Sequence, residues 1–188
     1  MNNKMLVVLD MTRGYLKEGA MAAPECARIV PEVAEMVDAA LRNKHKVVYV
    51  RDWLSQKSER FLRQPKHCVA DGKECLFVPE LERHQFFVSV INKDTVNAFT
   101  ADKFQGLFKK VVYDEIVVTG VFAELGVFQT CVSLMGFIKA NGLKTKIVVP
   151  QNAADTFNKP GHAAALVNKS TFEMLNKMGI ATPAEYRF

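Results

Sequence analysis

Three charged residues stand where apolar runs end. Asp10 closes the run Met5–Leu9, Asp52 follows Lys46–Val50, and Lys93 follows Phe86–Val90. A fourth run, Ile116–Thr119, passes through Gly120 into the turn Val121-Phe122-Ala123-Glu124-Leu125-Gly126. A carboxylate and an ammonium group at one rim can move a proton to and from a small molecule. Taken singly, a strand-end charge is ordinary solvated surface; several arriving at one rim from different strands mark a candidate site. The four cysteines, Cys26, Cys68, Cys75 and Cys131, form no CxxC pair. The chain is too long for a disulfide scaffold, so reduced thiols in a cytoplasmic protein are expected.

The runs that must position these residues are short, rich in Val and Ile, and continuous in apolarity. Met5–Leu9, Lys46–Val50, Phe86–Val90, Ile116–Thr119 and Lys146–Val149 therefore read as strands buried on both faces. Helical stretches separate them. Pro31–Asn43 lines up Val33, Met36, Val37, Ala40 and Leu41 on one stripe. Gly126–Ala140 is apolar nearly all round and predicts a covered central helix closed by Asn141-Gly142. Gly161–Met178 forms the last helix, ended by Gly179. This alternation predicts an α/β fold: three layers, doubly wound, with a mostly parallel sheet and helices on both faces. Ligands of such sheets sit beyond the carboxyl ends of the strands. Ser55–Glu82, with Pro65, Gly72 and Pro79, has no clear period and is long for a plain loop, which makes it either functional or partly ordered by its neighbours.

Composition narrows the classes further. The 188 residues are 49% hydrophobic and 24% charged, as in a globular protein, and one domain spanning 1–188 is expected. The net charge of +5 is spread along the chain, with no basic block or aromatic-basic stripe. That favours an anionic small molecule and argues against nucleic acid. The apolar start is too short for a signal peptide, and no stretch approaches the roughly 18 apolar residues of a membrane helix.

Several segments carry a family resemblance, in order and near-unchanged spacing from residue 5 to about 182. LVVLDMTRGYLKEGAMAAPECARIVPEV resembles the opening of the isochorismatase-like hydrolases, which include nicotinamidases, carbamoylases and isochorismatases. YVRDW, QPKHCV and INKDTVNAF resemble nicotinamidase segments, and VVTGVFAELGV resembles the turn that bears the nucleophile. The resemblance implies a triad of Asp, Lys and Cys. Asp10 and Lys93 match, but the cysteine position is Gly126, so no thioester can form there. Cys131 lies about 7.5 Å further along the helix and roughly 140° round it, toward the core. Cys68 matches a family cysteine that is not the nucleophile.

The family's metal pattern is also broken. Asp52 and His67 match, but the histidine expected two residues after the aspartate is Leu54. Zinc sites generally take three protein ligands and an open position. No cofactor is therefore expected beyond a degenerate divalent-metal site, with His67 a partly exposed loop residue and Asp52 a hydrogen-bonding partner.

Glycine at the nucleophile position also occurs in the isochorismatase branch, whose turn resembles Thr119–Gly126. That branch cleaves a vinyl ether by proton transfer. The resemblance makes Asp10 the general acid, with Lys93 orienting it or holding a substrate carboxylate. It makes the Val121–Phe122 peptide cis and gives the backbone at Phe122 and Gly126 an anion-binding role. Arg13 and Glu124 are further candidates for substrate contact, against the ordinary readings of a solvated arginine and a helix-start carboxylate. Two functions follow: a small-molecule hydrolase working without a thiol, or a non-catalytic member that binds a small molecule or regulates. A homo-oligomer is expected from the family and from the Phe-rich composition.

Overall fold

The computed structural model describes residues 3–109 and 111–188. In chain order the elements are β1 (Lys4–Leu9), α1 (Arg13–Leu16), α2 (Val30–Arg42), β2 (Lys46–Asp52), α3 (Pro79–Glu82), β3 (Ser89–Lys93), α4 (Asp102–Gly106), β4 (Glu115–Val121), α5 (Phe128–Ala140), β5 (Lys146–Val148), β6 (Ala154–Asp155) and α6 (Ala164–Lys177). The sheet is parallel throughout, in the order β3-β2-β1-β4-β5, and β6 pairs with the end of β4. This is the expected three-layer, doubly wound α/β fold.

The period of two along β1 builds the layers. Leu6 and Val8 point into one core with Val33, Met36, Val37 and Ala40 of α2. Met5, Val7 and Leu9 point into the other with Cys131, Leu134 and Ile138 of α5 and Phe172 and Leu175 of α6. All five β1 residues from Met5 to Leu9 are fully buried, as their continuous apolarity requires. Among the described residues no helix is long and apolar enough to cross a membrane.

Strand order reverses on either side of β1, where β2 leads one way and β4 the other. Asp10 and Phe122 leave the sheet at that switch, the place where α/β folds open a crevice. Close backbone packing accompanies it. Gly120 has φ +115, and a Cβ built there would lie 2.0 Å from the Leu9 carbonyl oxygen.

Two sequence expectations need correction. The third strand is Ser89–Lys93, not Phe86–Val90. Phe86 and Phe87 lie in the turn after α3, 91% and 74% exposed, with the Phe87 amide closing onto the His84 carbonyl. As an edge strand β3 needs burial on fewer positions, so its signal is Val90 and Ile91 among polar neighbours. The second correction concerns α5, which is covered on one face only: Thr130, Cys131, Leu134 and Ile138 are buried, and Gln129 and Lys139 are exposed. Its flank is apolar because Phe137 packs with Phe99 and Phe108 beside α4. The turn ahead of it, Ala123–Val127, is wound as a π-helix. Ser55–Glu82 is ordered by its neighbours, one of the two expected outcomes: Leu54 bridges to Val69, and Thr12 to Phe77.

Two substitutions test the backbone packing. Gly120→Ala drives a methyl into the β1 carbonyl and should cost about 4 kcal/mol or more. Gly136→Ala, on the open side of α5 with no atom within 4 Å, should gain about 0.5–1 kcal/mol. Urea unfolding midpoints at unchanged m-value give both differences; a midpoint for Gly120→Ala equal to the parent's would contradict the close approach.

Candidate active site

Parallel pairing in register carries three side chains to one point. Asp52 and Lys93 are direct partners across β2 and β3, and the Asp10 amide donates to the Val50 carbonyl at 2.9 Å. Asp10 itself is left-handed, with φ 55, a conformation that aspartate tolerates better than most residues. Lys93 Nζ then lies 2.9 Å from Asp10 Oδ2 and hydrogen-bonds Asp52 Oδ1. The Asp52 amide donates to Asp10 Oδ1 at 3.0 Å. All three residues are buried, at 5% exposure or less.

Asp52 is the most heavily bonded. Besides Lys93, its Oδ2 accepts from the Tyr15 hydroxyl and from Arg60 Nη1 at 2.8 Å. The second Arg60 amino group, Nη2, lies 3.3 Å from His67 Nε2. His67 Nδ1 lies 2.7 Å from the Pro65 carbonyl, which accepts from it, so Nε2 carries the lone pair that Arg60 meets. The imidazole packs against Tyr15 and Phe61.

The two carboxylates differ in charge because their partners differ. Burial pushes the Asp10 carboxyl up; Lys93 pulls it down, Asp52 pushes it up again, and it reaches about 7. Burial also works against ionised Asp52, but Lys93 and Arg60, with the hydrogen bonds from Lys93 and Tyr15, hold it below the usual carboxylate range. Burial disfavours charge on Lys93 too, and its two carboxylates outweigh that and raise its pKa. Burial and the nearby aspartates keep Tyr15 a phenol. Asp52 is thus a fixed anion, Lys93 a fixed cation, and Asp10 the group that titrates near neutrality. Two carboxylates pushed apart in this way are suited to different roles.

Gly126 completes the site. A Cβ there would stand 3.4 Å from Asp10 Oδ2 and 3.5 Å from the Val96 carbonyl. A cleft of about 450 Å³ is lined by Ser58, Arg60, Asp94 and Val96 among others, and so reaches the Val96 side of this position. Val121 is buried, and its peptide to Phe122 is cis. The Phe122 ring meets Tyr15 and Phe157 edge-on, at 5.3 and 5.2 Å between centroids, and forms an apolar wall.

Other expected residues sit differently. Arg13 is bound to Glu82 at 2.7 Å and to the Phe77 carbonyl, so its guanidinium turns to α3 and does not meet Asp10 or Lys93. Glu124 is not a free helix-start carboxylate; His162 Nε2 holds it at 3.1 Å, and that imidazole stacks on Phe157. His67 is fully enclosed, not partly exposed, because the Arg60–Pro65 segment folds over it. Leu54 is buried and bridged to Val69, and offers no donor. Among the described residues no three His, Cys, Asp or Glu side chains come together as a ligand set. Cys131 is buried in the core, where burial pushes its thiol up, and Cys68 faces the Glu74 carbonyl. Tyr15 and Arg60 are site residues that spacing does not reveal. Arg60 lies in the stretch without a period, and Tyr15 in a single helical turn.

The fold and the charged rim define an α/β protein of the isochorismatase-like hydrolase class. The family model for the isochorismatase domain matches residues 4–177, and the chain belongs to that family. No curated protein matches it at a significant level. Among solved structures it is similar to a pyrazinamidase/nicotinamidase from Streptococcus mutans, with 19% identity over 96% of this chain and 99% of that one, at a TM-score of 0.79. It is similar to N-carbamoylsarcosine amidase from Thermoplasma acidophilum, with 19% identity over 96% and 95% and a TM-score of 0.79. It is also similar to the pyrazinamidase of Pyrococcus horikoshii, a complex with zinc, with 22% identity over 99% of each chain and a TM-score of 0.77.

Removing the central cation tests the electrostatics. Lys93→Met leaves two carboxyl groups in a dry site and should cost about 3–5 kcal/mol near neutrality. The Asp10 carboxyl, already above its unfolded value, then rises further while Arg60 still pairs Asp52, so the added penalty is present at high pH and relieved by protonation of Asp10 as pH falls. Urea unfolding of the variant should show a smaller deficit at about pH 5 than at about pH 8; an equal deficit at both would remove this account.

Proposed function

We propose that the protein is a small-molecule hydrolase that works by proton transfer and water, with no covalent intermediate. One observation carries the reading: the Asp10 carboxyl, poised near neutrality, faces the space left by Gly126 and is held by Lys93. The resemblance puts Gly126 where cysteine members carry their nucleophile. A glycine has no side chain to form an acyl bond, so the reaction must begin with a proton.

A vinyl ether of the isochorismatase type fits this chemistry. Asp10 gives its proton to the enol carbon; a C–H bond forms and the neighbouring carbon becomes an oxocarbenium ion. Lys93 neutralises the Asp10 carboxylate as it appears. Water adds to the cation, and its surplus proton returns to Asp10. The hemiketal then breaks its C–O bond to give a ketone and an alcohol. With Asp10 protonated, Lys93 and Arg60 exceed Asp52 by one positive charge, which favours an anionic substrate. Phe122 and Val121 shape the apolar wall.

Turnover of vinyl ethers should fall about tenfold per pH unit above about 7, as Asp10 loses its proton. Asp10→Asn should lower kcat/KM by at least ~100-fold while anionic ligands still raise its melting temperature. Turnover unchanged in Asp10→Asn would refute the mechanism. Gly126 also supports a second reading, a binding or regulatory member of the family. A blank screen of amides, carbamoyl compounds and vinyl ethers, together with ligand-induced thermal stabilisation, would favour it.

A further inference from the structure

We propose that the guanidinium of Arg60, seated between Asp52 and His67, is this chain's resident cation in the position where a divalent metal ion would otherwise be bound. The inference goes beyond the hydrolase reading and does not depend on turnover.

Lone-pair accounting carries it. Asp52 Oδ1 is taken by Lys93, and Oδ2 accepts from both Tyr15 and Arg60. A carboxylate oxygen has two lone pairs, so Oδ2, the oxygen that faces His67, has none left for a metal; the one lone pair remaining is on Oδ1, which is held against Lys93. His67 Nδ1 is committed to the Pro65 carbonyl, and the remaining lone pair on Nε2 faces Arg60 Nη2. The two atoms a metal would share are therefore joined by the two arms of one guanidinium. They are 4.0 Å apart, wider than the roughly 3.3 Å that two ligands span at a tetrahedral zinc with ~2.0–2.1 Å bonds. Leu54, at the position that the resemblance gives to the third ligand, is fully buried and offers no donor.

Arginine suits the position. It stays charged at any working pH and presents planar paired donors. Its charge compensates Asp52 as a metal would, but it cannot exchange, be chelated, or serve as a Lewis acid. The Arg60 side chain is 18% exposed, so the substituted position borders the cleft.

Zinc uptake decides the matter without any substrate. Chelator-treated protein is dialysed against zinc, its metal is counted by mass spectrometry, and its melting is followed. Wild type should hold no stoichiometric zinc and should melt alike in zinc and in chelator. Leu54→His/Arg60→His restores the missing imidazole, adds a second, and removes the guanidinium. It should hold one zinc per chain, and zinc at a hundred times its Kd should raise its melting temperature by roughly 5–11 °C. One equivalent of zinc in wild type, lost in His67→Ala, overturns the proposal. So does a folded double variant that takes up no zinc, because removal of the guanidinium would then not have opened the position. If that variant does not fold, Leu54→His/Arg60→Ala replaces it, leaving Asp52, His67 and the new imidazole as three ligands; a zinc-dependent rise in melting temperature is expected, and the absence of one counts against the proposal.

Discussion

One ammonium group holds the site together. Lys93 is buried at the ends of three strands and bonded to carboxylates from two of them. Taking such a group out of water costs several kcal/mol, and only close opposite charges offset that. The constraint runs both ways. Asp10 and Asp52 could not share this space without a cation between them, and Lys93 could not be dry without both. The register of β1, β2 and β3 therefore matters to function as much as to stability. A slip of one residue would turn Lys93 to the other face of the sheet and leave the carboxylates unpaired.

The same cluster sorts its members by role. Asp52 receives every strong donor in reach, so it stays ionised and acts as scaffold. Asp10 receives one backbone amide and one arm of Lys93, and burial wins. Neither residue type nor strand position distinguishes the two aspartates, since both end strands. The difference lies in Tyr15 and Arg60, which reach Asp52 alone. The contrast between the two carboxylates thus depends on residues that touch only one of them.

Much of this was legible in the sequence. The buried strands announce themselves as continuous Val and Ile runs, and the charges that close them lie at the rim that such sheets use for ligands. The resemblance added Gly126 and the pairing of Asp52 with His67. The rest was hidden for physical reasons. An edge strand buries few positions, so two exposed phenylalanines outweighed the true β3 in apolarity. Arg60 sits in a segment whose order comes from packing and bridges, and no periodicity points to it. His67 read as a loop residue because its enclosure is made by that same segment. Arg13 and Glu124 looked available because their partners, Glu82 and His162, lie 69 and 38 residues away in sequence.

Gly126 and Arg60 belong to one argument. A thiol nucleophile and a metal both gain force from charge they can shed or share: a proton lost from sulfur, electron density drawn onto a cation. Here hydrogen stands at the one position and a permanent guanidinium at the other. What remains able to change its charge near neutrality is Asp10. Fixed positive charge on Lys93 and Arg60 surrounds a fixed Asp52, and the Asp10 carboxyl that titrates near neutrality is held beside them. For the proposed proton transfer, such an environment is preorganised: the charges that would stabilise the developing ion are already in place and need not reorient.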